Sequence, residues 1–209
     1  MTDYLWTTNV GSHMWGMNHA KSDTDYFSCY LASTHGILAG TEKCASKQTT
    51  EEGDIDRAVH ELGKTIHYLS KGNVNFLWGV YSPIIVDGGG FLKDLREQAP
   101  FPGANAFHSI RGMAKHNYKH FILDERAESM DSAKFQKKLN TIARTVQFGI
   151  TLLKDEEIRF EKVKDVTEAE CVQMMRELEA AYDETKLPEL PAWDDEILEW
   201  LVEVRQNYG

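Results

Sequence analysis

The stretch that most constrains this chain is Gly11-Ser12-His13-Met14-Trp15-Gly16-Met17-Asn18-His19-Ala20-Lys21-Ser22-Asp23-Thr24-Asp25-Tyr26. It sets a Gly-Ser turn and a Ser-Asp-x-Asp pair about ten residues apart, each beside a strand-like run rich in β-branched and aromatic residues, at 4–10 and 23–32. Side chains alternate along a strand, so Asp23 and Asp25 project from one face and both reach a single cation. Hard divalent ions take carboxylate oxygens supplemented by substrate phosphates. A third carboxylate on a neighbouring strand would let the site hold two such ions. Asp56, on a third predicted strand over 54–59, is that candidate, and Asp54 on the same alternation face is the fallback. Gly11 lets the backbone approach a phosphate closely, Ser12 adds a hydroxyl donor, and a helix starting just after offers N–H groups to an anion. Together these features suit a metal-complexed nucleoside triphosphate.

The strand over 54–59 runs directly into Leu62, Ile66 and Leu69 at helical spacing, and Lys71-Gly72-Asn73 closes that helix. The polar residues 39–53 are expected to be a mobile loop. Ile84-Ile85-Val86 stops at Asp87-Gly88-Gly89-Gly90, which lacks the Gly-Lys-Ser/Thr ending of a P-loop and reads as a turn. Helices are predicted over 91–98, 105–122, 131–153, 167–183 and 194–206, with Pro100, Pro102, Pro188 and Pro191 at the breaks. The expected organisation is an α/β core over 1–90 followed by a helical unit over 91–209 with an acidic tail. In that tail Trp193, Ile197, Leu198, Trp200 and Leu201 form an amphipathic stripe expected to pack on the body, with a homodimer contact as its other reading. His116 and His120 share a helix face but lack the intervening Glu of a zinc-protease motif, so they read as exposed or core-edge histidines.

At 209 residues there is room for one domain or one plus an appendage. Cys29, Cys44 and Cys171 are odd in number and far apart, which indicates neither a disulfide framework nor a cysteine zinc site and points to a reducing compartment. No basic region followed by an apolar stretch opens the chain, and the most apolar window, 75–86, is broken by Gly79 and Pro83 and too short to span a bilayer. The expectation is a cytoplasmic protein with no membrane partner. A net charge of -10 argues against indiscriminate nucleic-acid binding. The excess is all C-terminal, since residues 154–209 carry 7 Lys and Arg against 17 Asp and Glu. Residues 105–144 carry 8 against 4, a basic segment that reads as a solvated helix face or as a surface for an anionic partner.

The Gly-Ser turn, Asp-x-Asp pair and later single carboxylate resemble the motif of the DNA polymerase β superfamily of nucleotidyltransferases, and more closely the predicted nucleotidyltransferases of bacteria, archaea and tailed phages. His60-Glu61-Leu62-Gly63-Lys64, Lys71-Gly72-Asn73-Val74-Asn75 with Tyr81-Ser82-Pro83, and Phe107-His108-Ser109-Ile110-Arg111-Gly112-Met113-Ala114-Lys115 carry the closer resemblance, which covers about residues 4–150. It implies a small mixed-sheet, polymerase β-like α/β (α+β) core followed by a helical C-terminal unit. It also implies Asp23, Asp25 and Asp56 as catalytic metal ligands for two Mg²⁺ ions, with Mn²⁺ as a substitute, and Gly11, Ser12 and Ser22 on the NTP. Lys64, Lys71, Arg111, Lys115 and Arg144 are candidates to neutralise phosphates or acceptor. The implied reaction moves a nucleoside monophosphate from an NTP to an acceptor hydroxyl on RNA, protein or a small molecule. The rival reading is a non-catalytic nucleotide-binding or antitoxin-like partner on the same fold. Met14 and Trp15 replace the small or basic residues often found after Gly-Ser, a departure that bears on nucleotide choice.

Overall fold

The computed structural model describes residues 4–20, 22–51, 55–123, 130–191 and 195–208. In chain order the elements are β1 (Trp6–Val10), α1 (Gly11–Met14), β2 (Thr24–Tyr30), α2 (Thr34–Leu38), β3 (Ser46–Glu51), β4 (Ile55–Glu61), α3 (Leu62–Ser70), α4 (Val74–Tyr81), β5 (Ile85–Asp87) and α5 (Gly89–Gln98). There follow α6 (Ala106–Tyr118), a π-helical turn (Lys119–Leu123), α7 (Ser132–Asp155), α8 (Glu168–Glu184) and α9 (Asp195–Tyr208). The fold class is the expected one, a mixed-sheet α+β core with a helical C-terminal part. Two compact units divide the chain, Met1–Pro102 with Pro191–Gly209, and Gly103–Leu190. Among the described residues no helix is long and apolar enough to cross a membrane.

In the first unit the strands lie in the order β3-β4-β2-β1-β5, and β2 and β4 are parallel while the other pairs are antiparallel. Helices α3 and α4 pack where Phe27 of β2 meets Phe76 edge-on at 5.7 Å and stacks on His60 of β4 at 4.6 Å. Gly79 permits this, because a Cβ there would lie 2.2 Å from the Phe27 ring. Thr8 Oγ1 fixes the same approach by donating to the Gly79 carbonyl at 2.6 Å. Leu62, Ile66 and Leu69 bury the predicted face of α3. The helix ends at Lys71, with Gly72 at a φ of 63°.

Three expectations need correction. Residues 39–53, expected as a mobile loop, contain β3, an edge strand paired with β4 from Ser46↔His60 to Glu51↔Ile55. The sequence reading also missed α4, whose buried Val74, Phe76, Leu77 and Val80 leave little polar face. Of the terminal stripe, Ile197 is buried and Trp200 lies 5.4 Å from Phe91, but Leu198 is exposed rather than packed. Trp193 lies outside the described residues.

His60 carries a pH prediction. Burial among these rings, reinforced by the Lys64 charge, lowers its pKa from 6.5 to about 4, and Ser46 Oγ hydrogen-bonds its Nδ1 at 2.6 Å. The unfolded chain therefore binds the proton more tightly than the native one between those two values. The His60 contribution is complete above about pH 6.5 and is lost as pH falls toward 4. Denaturant melts across that window should show that His60→Phe loses less stability on acidification than the parent. Equal acid arms for the two proteins would refute the assignment.

The second unit is a helical assembly of α6, α7 and α8. Gly149 of α7 lets the helices close, since a Cβ would lie 2.7 Å from Leu178 and 2.9 Å from Ile110. Phe107 stacks on Tyr182 at 4.1 Å. A reciprocal capping box between Thr167 and Glu170 starts α8. The His116 and His120 rings lie 4.2 Å apart, His116 exposed and His120 half-buried.

Candidate active site

The three central strands meet at one level. Asp25 of β2 pairs with Val10 on one side and with Asp56 on the other. Partners on adjacent strands project to the same face, so the two carboxylates stand side by side. Gly11 follows Val10 immediately and has a φ of 62°, the left-handed region that suits glycine. A Cβ at Gly11 would lie 2.0 Å from Asp25 Oδ2, so the turn is fitted against this carboxylate. Asp23 is exposed just ahead of β2. Asp56 occupies the register position facing Asp25, and the fallback Asp54 lies outside the described residues.

On the opposite face, Tyr26 pairs with Arg57. Arg57 Nη1 donates to Ser28 Oγ at 2.8 Å, and its guanidinium lies over the rings of Tyr4 and Tyr26, at 5.2 and 4.8 Å from their centroids. The sheet thus separates a carboxylate face from a cation-bearing one.

The segment between turn and strand is folded on itself. The Ser12 carbonyl accepts from Met17 N–H, and Ser22 Oγ accepts from His19 N–H, each at 2.9 Å. Met14 and Trp15 are buried, and Trp15 meets Trp78 of α4 edge-on at 5.5 Å, which anchors the short helix α1 to the core. Two polar groups beside the turn escaped the sequence reading. Asn9 Oδ1 and His13 Nε2 are buried without a hydrogen-bond partner. A polar residue on each side of Gly11-Ser12 was the only sequence signal for them.

The remaining candidates are on helices or at a helix end. Lys64 is on the first turn of α3, its Nζ 5.7 Å from the Tyr68 ring centroid, and Lys71 is exposed at the end of that helix. In the helical unit Arg111 Nε and Lys115 Nζ converge on Glu179 Oε1 at 2.7 and 2.9 Å and hold its carboxyl below the usual carboxylate range. Arg144 is half-buried on α7. The structure therefore gathers Gly11, Asp25 and Asp56 closely, with Asp23 at the same strand end.

A model of the RNA repair pathway DNA polymerase beta family matches residues 2–208. The chain belongs to that family. A comparison with curated proteins found no match. Membership extends the nucleotidyltransferase resemblance into the acidic tail, where the sequence reading found no resemblance, and makes this a polymerase β superfamily nucleotidyltransferase in the general sense. Enzymes of this family type generally use divalent ions and NTP. Among the described residues no three His, Cys, Asp or Glu side chains already form an ion-holding cluster. The donor chemistry nevertheless fits a hard divalent ion, with two carboxylates opposed in register and a third two residues upstream.

Proposed function

We propose that this protein moves a nucleoside monophosphate from an NTP to a hydroxyl of RNA. The observation that carries this reading is the Val10–Asp25–Asp56 register with Gly11 closed against Asp25. Asp23, Asp25 and Asp56 would hold divalent ions, two Mg²⁺ or Mn²⁺ in the fullest form. When bound, such ions lower the pKa of an attacking hydroxyl and offset charge on departing pyrophosphate. Gly11 lets the main chain approach the triphosphate, and Ser12 and Ser22 supply hydroxyls. The acceptor oxygen bonds to the α-phosphorus, the bond to pyrophosphate breaks, and Asp56 takes the acceptor proton as general base. Lys64, Lys71, Arg111, Lys115 and Arg144 are proposed to neutralise phosphates of nucleotide or acceptor. RNA is favoured among acceptors by the family description and by the basic 105–144 segment. The odd, unpaired cysteines support a reducing, cytoplasmic setting.

The test is transfer of label from each α-labelled NTP, with Mg²⁺, into the RNA, protein and small-molecule fractions of a cell extract. Label in RNA is the expected result. Label confined to another fraction overturns the acceptor, and no transfer by folded protein overturns the enzyme in favour of a nucleotide-binding partner.

A further inference from the structure

Outside the carboxylate site, the helical unit has a cleft of about 690 Å³ lined by α6, the π-helical turn and α8. Val172, Met175 and Leu123 make its lining predominantly apolar, and Lys115, Lys119 and Arg176 set cations around it. The volume lies within the roughly 300–1,000 Å³ typical of ligand pockets. Tyr118 belongs to the wall, where its hydroxyl donates to Glu168 Oε1 at 2.6 Å and fixes the ring. The carboxylate in the lining, Glu179, is bound by both Arg111 and Lys115. The cleft thus combines an aromatic and apolar lining with an excess of positive charge.

The cationic surface continues from the same π-helical turn. Two residues after Lys119, Phe121 lies under Lys138 of α7, with Nζ 4.0 Å from the ring centroid. Lys134 and Lys137 share that first stretch of α7, and their charges add to burial in lowering the Lys138 pKa. Several like charges held this close together suit a ligand with repeated negative charges, more than a peptide carrying one or two carboxylates. An apolar, aromatic slot beside cations is the arrangement that takes an unpaired base by its face and the flanking phosphates by their charge.

Resting on the reading of RNA as acceptor, we infer that the α6–α8 cleft is a binding site for single-stranded RNA, with one unpaired base on the Tyr118–Met175 wall and flanking phosphates at Lys115, Lys119 and Arg176. The site belongs to the helical unit and its occupancy does not require the carboxylates.

Fluorescence anisotropy of the full chain with a labelled single-stranded oligoribonucleotide, repeated over a salt series, tests this. Three engaged cations give a slope of log K against log salt of about −2 for a single strand. Arg176→Gln should weaken binding and reduce that slope by about 0.7. Tyr118→Leu should weaken binding about tenfold with the slope unchanged. A duplex of the same sequence should bind more weakly, its bases being already stacked. Asp25→Asn should bind RNA like the parent while losing transfer. Circular dichroism melts confirm that each variant is folded, and Lys119→Gln serves in place of any variant that is not. Parent-like RNA binding by the folded cleft variants overturns the cleft, as does duplex binding equal to single-strand binding. Loss of an acidic amphipathic peptide with RNA binding intact overturns it in favour of protein docking. RNA binding that depends on the cleft, in a protein that labels no RNA, supports the cleft and separates its fate from that of the acceptor reading.

Discussion

Asp25→Asn is expected to reduce nucleotidyl transfer about a thousandfold while leaving the folded protein at least as stable as the parent. The two halves of this expectation come from the same geometry. Asp25 and Asp56 are opposed in register, and like charges directly opposite one another destabilise a sheet. Asparagine keeps the shape that closes against Gly11 and removes one charge. A thermal melt should therefore show an unchanged or slightly raised midpoint, and an α-label time course should show the loss. Asp56→Asn should behave the same way, and a general base there adds its own loss. Transfer retained within about fivefold would place the chemistry elsewhere, because a ligand or base lost from a reacting centre typically costs 10²–10⁴. A large fall in the melting midpoint would instead make Asp25 a structural residue.

How far the fold and the candidate site show in the sequence follows from what each element exposes. Asp25 and Gly11-Ser12 announce themselves because a tight turn and a period-2 strand leave strong local marks, whereas Asp23 stands just ahead of β2, outside the alternation that the sequence suggests. Alternation puts Asp54 and Asp56 on one face and does not separate them; the strand register does, because Asp56 stands opposite Asp25. Edge strand β3 left no such mark. Its sequence Ser-Lys-Gln-Thr-Thr-Glu has no apolar alternation, and a lysine on a sheet edge is a common defence against stray pairing. Helix α4 was hidden for the opposite reason, being apolar on nearly every side. Met14 and Trp15 looked like departures that tune nucleotide choice. Their burial against the core, with Trp15 on Trp78, gives them a structural role in seating the Gly-Ser turn. Partners distant in sequence, such as Arg111 and Lys115 on Glu179, have no local signature at all.

The largest loss of stability is expected from Arg205→Ala, about 3 kcal/mol, although the residue lies near the end of the last helix. Glu61, at the end of β4, is fully buried, and its carboxylate has two duties. Its Oε2 caps α3 by accepting from Lys64 N–H at 3.2 Å, and its Oε1 is paired with Arg205. Arg205 also donates to the Ala32 carbonyl at 3.2 Å, so one guanidinium ties α9 to the strand that carries Asp56 and to the segment after β2. Removing it leaves a buried carboxylate without its cation, which is the costly way to break such a pair. Lysine cannot restore the two-point contact, so Arg205→Lys should recover only part of the loss. The double variant Arg205→Ala with Glu61→Gln removes the stranded charge and should be less destabilised than the sum of the single changes. Urea melts of the four proteins give the coupling directly. Strict additivity would mean that Glu61 and Arg205 contribute independently, and a change below 1 kcal/mol for Arg205→Ala would show that the capped carboxylate needs no cation.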